Sequence, residues 1–103
     1  MAIVDPRLDK AIKSRSGAHP RGTVQATVTL RSVDPSKPLD AAQTTRSVNQ
    51  IIEKVARQTR KQPRDLMIHP YIQSFSIDAD AEMVGRILSE DSVETASFDG
   101  ESE

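Results

Sequence analysis

The chain has 103 residues without cysteine or tryptophan, and its aromatic side chains are limited to Tyr71, Phe75 and Phe98. The absence of cysteine excludes a disulfide framework, a thiolate metal site and a thiol nucleophile. Hydrophobic residues make up 36% of the chain. A single small domain with a core of mainly aliphatic side chains is therefore expected.

Long apolar runs are also missing. No stretch is long enough to span a membrane, and the N-terminus lacks the apolar segment of a signal peptide. We therefore expect no membrane partner and a cytoplasmic location.

The residue patterns of common enzymes are absent. His19 and His69 lie fifty positions apart, and neither has a neighbouring ligand at metal-binding spacing. The chain has only four glycines and no glycine-rich phosphate loop, nucleophile elbow or HExxH motif. We predict that the protein is not an enzyme and uses no metal or cofactor, and that both histidines are polar loop residues.

Charge is unevenly distributed, although the net charge is only −1. Residues 1–64 carry 13 Lys and Arg against 5 Asp and Glu, whereas residues 65–103 carry Arg86 alone against 10 acidic residues. This pattern is compatible with ordinary solvated surfaces or with a basic face and an acidic edge that orient a partner.

Periodicity predicts the elements of residues 23–99. Thr23 to Arg31 alternates between apolar and polar residues, as in a half-buried strand. A helix is expected from a capping box at Asp40 to about Gln62, before Pro63. Further strands are expected at Leu66–Ile68, from Tyr71 to Ile77 and from Val93 to Phe98. The apolar spacing of Met83, Val84, Ile87 and Leu88 predicts a second helix, for which Asp78 and Asp80 both offer caps.

The predicted order is β-α-β-β-α-β. It is typical of an α+β, ferredoxin-like fold with a four-stranded antiparallel sheet and two helices on one face. We divide the chain into a flexible N-terminal extension (residues 1–22), this domain (23–99) and an acidic tail (100–103). In the extension, Asp5 and Pro6 favour a short helix that either packs on the domain or frays. The composition of Ser14 to Gly22 is typical of a linker.

The segment from His69 to Asp99 resembles the inhibitor I9 family, the propeptide domains of subtilisin-like serine proteases, and the resemblance extends over residues 23–99. It rests on Ser74-Phe75-Ser76-Ile77, on a short helix from Glu82 to Leu88, and on Val93, Ala96 and Asp99. The resemblance implies a ferredoxin-like inhibitor or folding chaperone whose sheet packs on two protease helices. It implies contacts through a set of residues at the C-terminus: Ser97, Phe98, Asp99, Gly100, Glu101, Ser102 and Glu103.

Within that set, Asp99 is implied to cap a protease helix, whereas Ser97 occupies a position where the family commonly has an acidic residue. Residues 100–103 are implied to lie toward the active-site cleft, unless they form only a disordered acidic terminus. No protease domain accompanies the segment, so such a module would act in trans.

Two other functions remain open. The sheet face or its edges can serve an assembly module that forms homo- or hetero-oligomers. Nucleic-acid binding through Arg57, Arg60, Lys61 and Arg64 is less favoured, because the strand from Thr23 to Arg31 lacks aromatic residues for base stacking.

Overall fold

The computed structural model describes residues 3–15, 23–32, 36–37 and 39–102. Within these residues the fold is mixed α+β, with three helices packed on a five-stranded sheet. In chain order the elements are β1 (Ile3–Val4), α1 (Pro6–Arg15), β2 (Thr23–Leu30), α2 (Ala41–Thr59), β3 (Asp65–His69), a 3₁₀ turn (Pro70–Ile72), β4 (Ser74–Ala79), α3 (Ala81–Leu88) and β5 (Val93–Ser102).

The sheet has the strand order β1-β5-β2-β4-β3. β1 runs parallel to β5, and every other neighbouring pair is antiparallel. The expectation of four strands and two helices was wrong, because β1 and α1 precede the predicted elements and extend the sheet beyond β5. The elements β2, α2, β3, β4, α3 and β5 follow one another in the predicted order.

One face of the sheet carries the hydrophobic core. Alternate residues of β2, from Val24 to Leu30, have no exposed surface, as the apolar-polar alternation of this strand predicts. They pack in a single cluster with Leu8 of α1, Val48 of α2 and Met83 of α3. All three helices therefore lie on the same face of the sheet, and none of the described helices covers the opposite face.

The N-terminal helix belongs to this core. Asp5 accepts a hydrogen bond from the backbone N–H of Arg7 at 2.9 Å, and Pro6 is the first helical residue, as expected for a capped helix start. Leu8 has no exposed surface and Ala11 is buried. The prediction of a flexible extension is therefore corrected for residues 3–15. The predicted linker begins later than expected, since α1 continues to Arg15, and the rest of it, with His19, lies outside the described residues.

The start of α2 follows the predicted capping box. Asp40 accepts from the backbone N–H of Gln43 at 2.7 Å, and the Gln43 side chain accepts from the backbone N–H of Asp40 at 3.0 Å. The helix ends at Thr59, earlier than predicted, because Arg60 adopts the left-handed conformation with φ of 58°.

The connection between β3 and β4 differs from the prediction. Tyr71 was expected in a strand, but it lies in the 3₁₀ turn and is 91% exposed. Gln73 then takes a left-handed conformation with φ of 53°. Its side chain accepts from the backbone N–H of Leu39 at 2.8 Å and donates to the carbonyl of Leu30 at 3.3 Å. These tertiary hydrogen bonds offset the cost of the backbone conformation.

Candidate functional site

The open face of the sheet presents polar side chains from four adjacent strands. We call this surface the open face. Because side chains alternate between the two faces along a strand, the residues opposite each other in register share this side. Its central polar members are Gln25, Thr27, Thr29, Asp65, His69, Ser76, Asp78, Thr95, Ser97 and Asp99, and the apolar Met67 lies among them.

A line of hydrogen bonds crosses the open face. His69 Nε2 lies 3.0 Å from Ser76 Oγ, and Ser76 Oγ lies 3.3 Å from Thr27 Oγ1. Thr27 in turn donates to the Asp99 carboxylate. Since Thr27 has a single proton and gives it to Asp99, Ser76 donates to Thr27, and His69 donates to Ser76. The line therefore ties β3, β4, β2 and β5 together and ends on a carboxylate.

The line of hydrogen bonds joins side chains from four strands of the sheet. With all of its contacts formed together, the Ser76 hydroxyl donates to Thr27 and His69 is the donor to Ser76. The arrangement is suited to holding the surface in one conformation, with Asp99 at its exposed end.

A shallow depression of about 250 Å³ adjoins this line and is lined by three carboxylates, those of Asp65, Asp78 and Asp99. Gln25 Nε2 donates to Asp78 Oδ2 at 3.4 Å. In the part of the chain that the structure describes, the buried Oδ1 of Asp78 has no hydrogen-bond partner. The depression favours a positively charged contact. Among the described residues, no group of three acidic, histidine or cysteine side chains is placed to hold a metal ion.

The C-terminal residues singled out by the resemblance fall into different environments. Ser97 and Asp99 are exposed on the open face, and Asp99 lies at an irregularity where the β2–β5 register shifts between Gln25 and Ala26. Phe98 points to the other side, where it is half-buried against the core. Asp99 is therefore exposed on the open face, whereas Phe98 belongs mainly to the core.

As far as Ser102, the backbone of the predicted acidic tail belongs to β5 and is not a separate segment. Gly100 pairs with Gln25, Glu101 with Val24 and Ser102 with Thr23, so β5 continues past the boundary placed after Asp99. Gly100 has φ of 144°, a conformation that favours glycine. The side chains of Glu101 and Ser102, and all of Glu103, lie outside the described residues. Entry of residues 100–102 into a cleft would require them to separate from β2.

Asp78 and His69 lie in elements other than those expected. Asp80, not Asp78, is the N-cap of α3, and its side chain accepts from the backbone N–H of Glu82 at 2.9 Å. Asp78 lies in β4 on the open face, opposite Asp65. His69, expected in a loop, ends β3. If the apolar-polar alternation of the predicted strands had been extended by one or two residues beyond Leu66–Ile68 and Phe75–Ile77, it would have placed His69 and Asp78 in strands.

The basic residues considered for nucleic-acid binding are partly neutralised. Lys61 lies 2.9 Å from Asp80 and 3.6 Å from Glu82, and its hydrogen bond to Asp80 raises the pKa of Lys61. Arg57 lies 3.9 Å from Glu53. Because α2 ends at Thr59, Arg60 and Arg64 follow the helix instead of extending its surface.

Asp5 fixes the N-terminal helix to the sheet. Besides capping α1, it accepts from the backbone N–H of Phe98 in β5 at 3.4 Å, and its own backbone N–H donates to the carbonyl of Ala96 at 2.9 Å. Hydrogen bonds from the side chain and backbone of Arg7 lower the pKa of Asp5 from 3.8 to about 2. The sequence indicated the cap but not its contacts with β5.

Comparison with known proteins gave no match among family models, curated proteins or solved structures. Within the described ranges, none of the helices has the length and apolar character needed to cross a membrane.

Proposed function

We propose that the chain is a protein-docking module and that the open face is its contact surface. The observation that carries this proposal is the open face itself, which is held in one conformation by hydrogen bonds across four strands and has Asp99 exposed at its end. Such a preorganised polar surface loses little conformational entropy when a partner binds.

The ferredoxin-like interpretation supports the same proposal. The order β5-β2-β4-β3, antiparallel throughout, with α2 and α3 on one face, is the arrangement expected of a ferredoxin-like unit. In this interpretation β1 and α1 are additions at the edge next to β5. The face away from the helices is then available to a partner.

The proposed partner is a subtilisin-like serine protease, on which the module acts as an inhibitor, a folding chaperone or both. This specific role comes from the resemblance to the inhibitor I9 family. A carboxylate is stabilised near the N-terminus of a helix, where unpaired backbone N–H groups and the helix dipole meet. Asp99 offers such a carboxylate at the surface, and Asp65 and Asp78 lie in the adjoining depression.

Docking in this proposal depends on the open face more than on the tail. Residues 100–102 are paired with β2 as part of β5. Insertion of this segment into a cleft would cost these backbone hydrogen bonds unless the protease replaced them. We therefore place the main affinity in the face and give the tail a secondary role.

The proposal is tested by titrating a subtilisin-type protease with the protein and following cleavage of a small substrate. Asp99→Asn removes the charge that would cap a protease helix, and we expect inhibition to weaken by about tenfold, as for the loss of one charge at a helix N-terminus in a partly buried contact. Asp9→Asn, an equal change of charge on the exposed side of α1, is the matched control and should inhibit like the original protein. Absence of inhibition and of complex formation would contradict the proposal.

An assembly module is the second candidate, and exposed apolar side chains favour it. Ile3, Met67, Tyr71 and Ile72 are between 59% and 91% exposed, and all lie in or next to the two outermost strands of the described sheet. Edge strands with exposed apolar residues are common sites of pairing with another chain. A solution mass above that of the monomer would support this function.

A further inference from the structure

β3 is the outermost strand of the sheet on the side away from β1. Its sequence from Asp65 to His69 contains no lysine or proline, residues that commonly protect a strand edge, and its one acidic residue, Asp65, lies at its start. Met67, at its centre, is 59% exposed. Within the described part of the chain, β4 is the only strand paired with it. The edge is therefore open to a further strand.

The hydrogen bonds at β3 indicate which backbone groups face outward. The N–H of Leu66 donates to the side chain of the preceding residue, Asp65, at 2.9 Å. An amide that is held by its neighbour's carboxylate points away from β4. Because the direction alternates along a strand, the N–H of Ile68 points to the same outer side. The outer edge thus offers the backbone groups of Leu66 and Ile68.

The sequence of this edge is complementary to itself. In an antiparallel pair centred on Met67, Asp65 lies opposite His69 of the second strand, Leu66 lies opposite Ile68, and Met67 lies opposite its own copy. A carboxylate therefore meets an imidazole that can carry a positive charge, and apolar residues meet apolar residues. The outward groups of Leu66 and Ile68 also match each other as donors and acceptors.

From this match we propose that β3 pairs with β3 of a second copy of the chain. The resulting twofold dimer has a continuous ten-stranded sheet, with every helix on one side and both open faces on the other. Met67 and the Asp65–His69 pairs occupy positions without ladder hydrogen bonds, where opposite side chains approach most closely. The dimer leaves Asp99 accessible, so this inference does not depend on the proposed protease partner.

On the other side of the sheet, among the described residues, β1 pairs only with Thr95 and Ala96 of β5, and the later residues of β5 do not offer the same match. An antiparallel pairing of β5 with itself centred on Gly100 would place Asp99 opposite Glu101, two residues of like charge. The register shift near Asp99 makes β5 irregular at the same place. Self-association is therefore expected at β3 and not at β5.

The test is the solution mass of the full chain, measured by sedimentation equilibrium from low micromolar to near millimolar concentration. We expect a dimer whose dissociation constant rises at least about tenfold for Met67→Lys and for His69→Asp. Met67→Lys places two lysines opposite each other at the centre of the pairing, and His69→Asp places two aspartates opposite each other at each end. The double variant Asp65→His with His69→Asp restores an opposite-charge pair and should recover the dimer. Ser97→Lys, an exposed change on the open face of β5, is the control and should leave the dimer intact.

Two results would overturn the proposal. A monomer at every concentration excludes the dimer, and a dimer that Met67→Lys and His69→Asp leave unchanged places the contact elsewhere. Circular dichroism of each variant separates loss of pairing from loss of folding. Slower amide exchange of Leu66 and Ile68 at high protein concentration, with no change at the buried amides of β2, would support the assignment to the outer edge.

Discussion

Replacing Leu8 with alanine tests whether α1 is part of the folded domain. Leu8 has no exposed surface and packs in the same cluster as residues of β2, α2 and α3. Truncation of a fully buried leucine to alanine costs about 2–5 kcal/mol, from lost apolar burial and from the cavity left behind. A docked α1 therefore predicts a loss in this range for Leu8→Ala, whereas a frayed extension predicts almost none.

The assay is equilibrium unfolding in urea, followed by far-UV circular dichroism. With a slope of about 2 kcal/mol per molar urea, the middle of the range for small domains, a loss of about 2–5 kcal/mol lowers the midpoint for Leu8→Ala by about 1–2.5 M. Lys10→Ala, at an exposed position of the same helix, is the matched control and should change the stability by less than about 0.5 kcal/mol. Equal midpoints for the two variants would refute the docking of α1.

Two further predictions concern the same part of the fold. At Gly85 in α3, an added Cβ would lie 3.5 Å from Ile12 Cγ2, which is an ordinary contact. Gly85→Ala should therefore raise the free energy of unfolding by about 0.5–1 kcal/mol, because alanine has the higher helix propensity. A loss of stability in urea unfolding would show that α1 packs differently. The second concerns Asp5, whose pKa is lowered to about 2 in the folded protein. Its contribution to stability is present above pH 3.8 and is lost as pH falls toward 2, so Asp5→Asn should reduce the acid dependence of unfolding in that window, and an unchanged pH profile would contradict the Asp5 contacts.

Local sequence patterns were sufficient for the elements whose signals lie within a few residues. The alternation in β2 and the capping box at Asp40 depend only on neighbouring side chains, and both gave correct element starts. The apolar positions of α1 are few, and their helix is too short to be stable alone. Its docking depends on Leu8 meeting β2 and α3, which no local pattern contains.

The remaining differences have long-range causes. Gln73 holds its left-handed conformation through hydrogen bonds to Leu39 and Leu30, which lie more than thirty residues earlier. β5 continues to Ser102 because Thr23 lies opposite it in β2. Contacts and pairings of this kind depend on tertiary register, so the local sequence predicted a continuous strand through Gln73 and a separate acidic tail instead.

The candidate site is only partly visible in the sequence. The resemblance implies a contact role for Asp99, which stays a prediction; the structure shows this residue exposed on the open face. The hydrogen bonds from His69 through Ser76 and Thr27 to Asp99 join positions up to 72 residues apart. The sequence shows that β2 has a polar side, but the set of residues beside it is fixed by the strand order.

The most direct test of the docking account is the methyl NMR spectrum of the protein as an inactivated subtilisin-type protease is added. Thr27, Thr29 and Thr95 lie on the open face, whereas Thr45 and Thr59 lie in α2 and serve as internal controls. Docking through the open face predicts that the signals of the first three shift or broaden while those of α2 stay in place. Unchanged open-face signals at saturating protease, or changes confined to α2, would contradict the account.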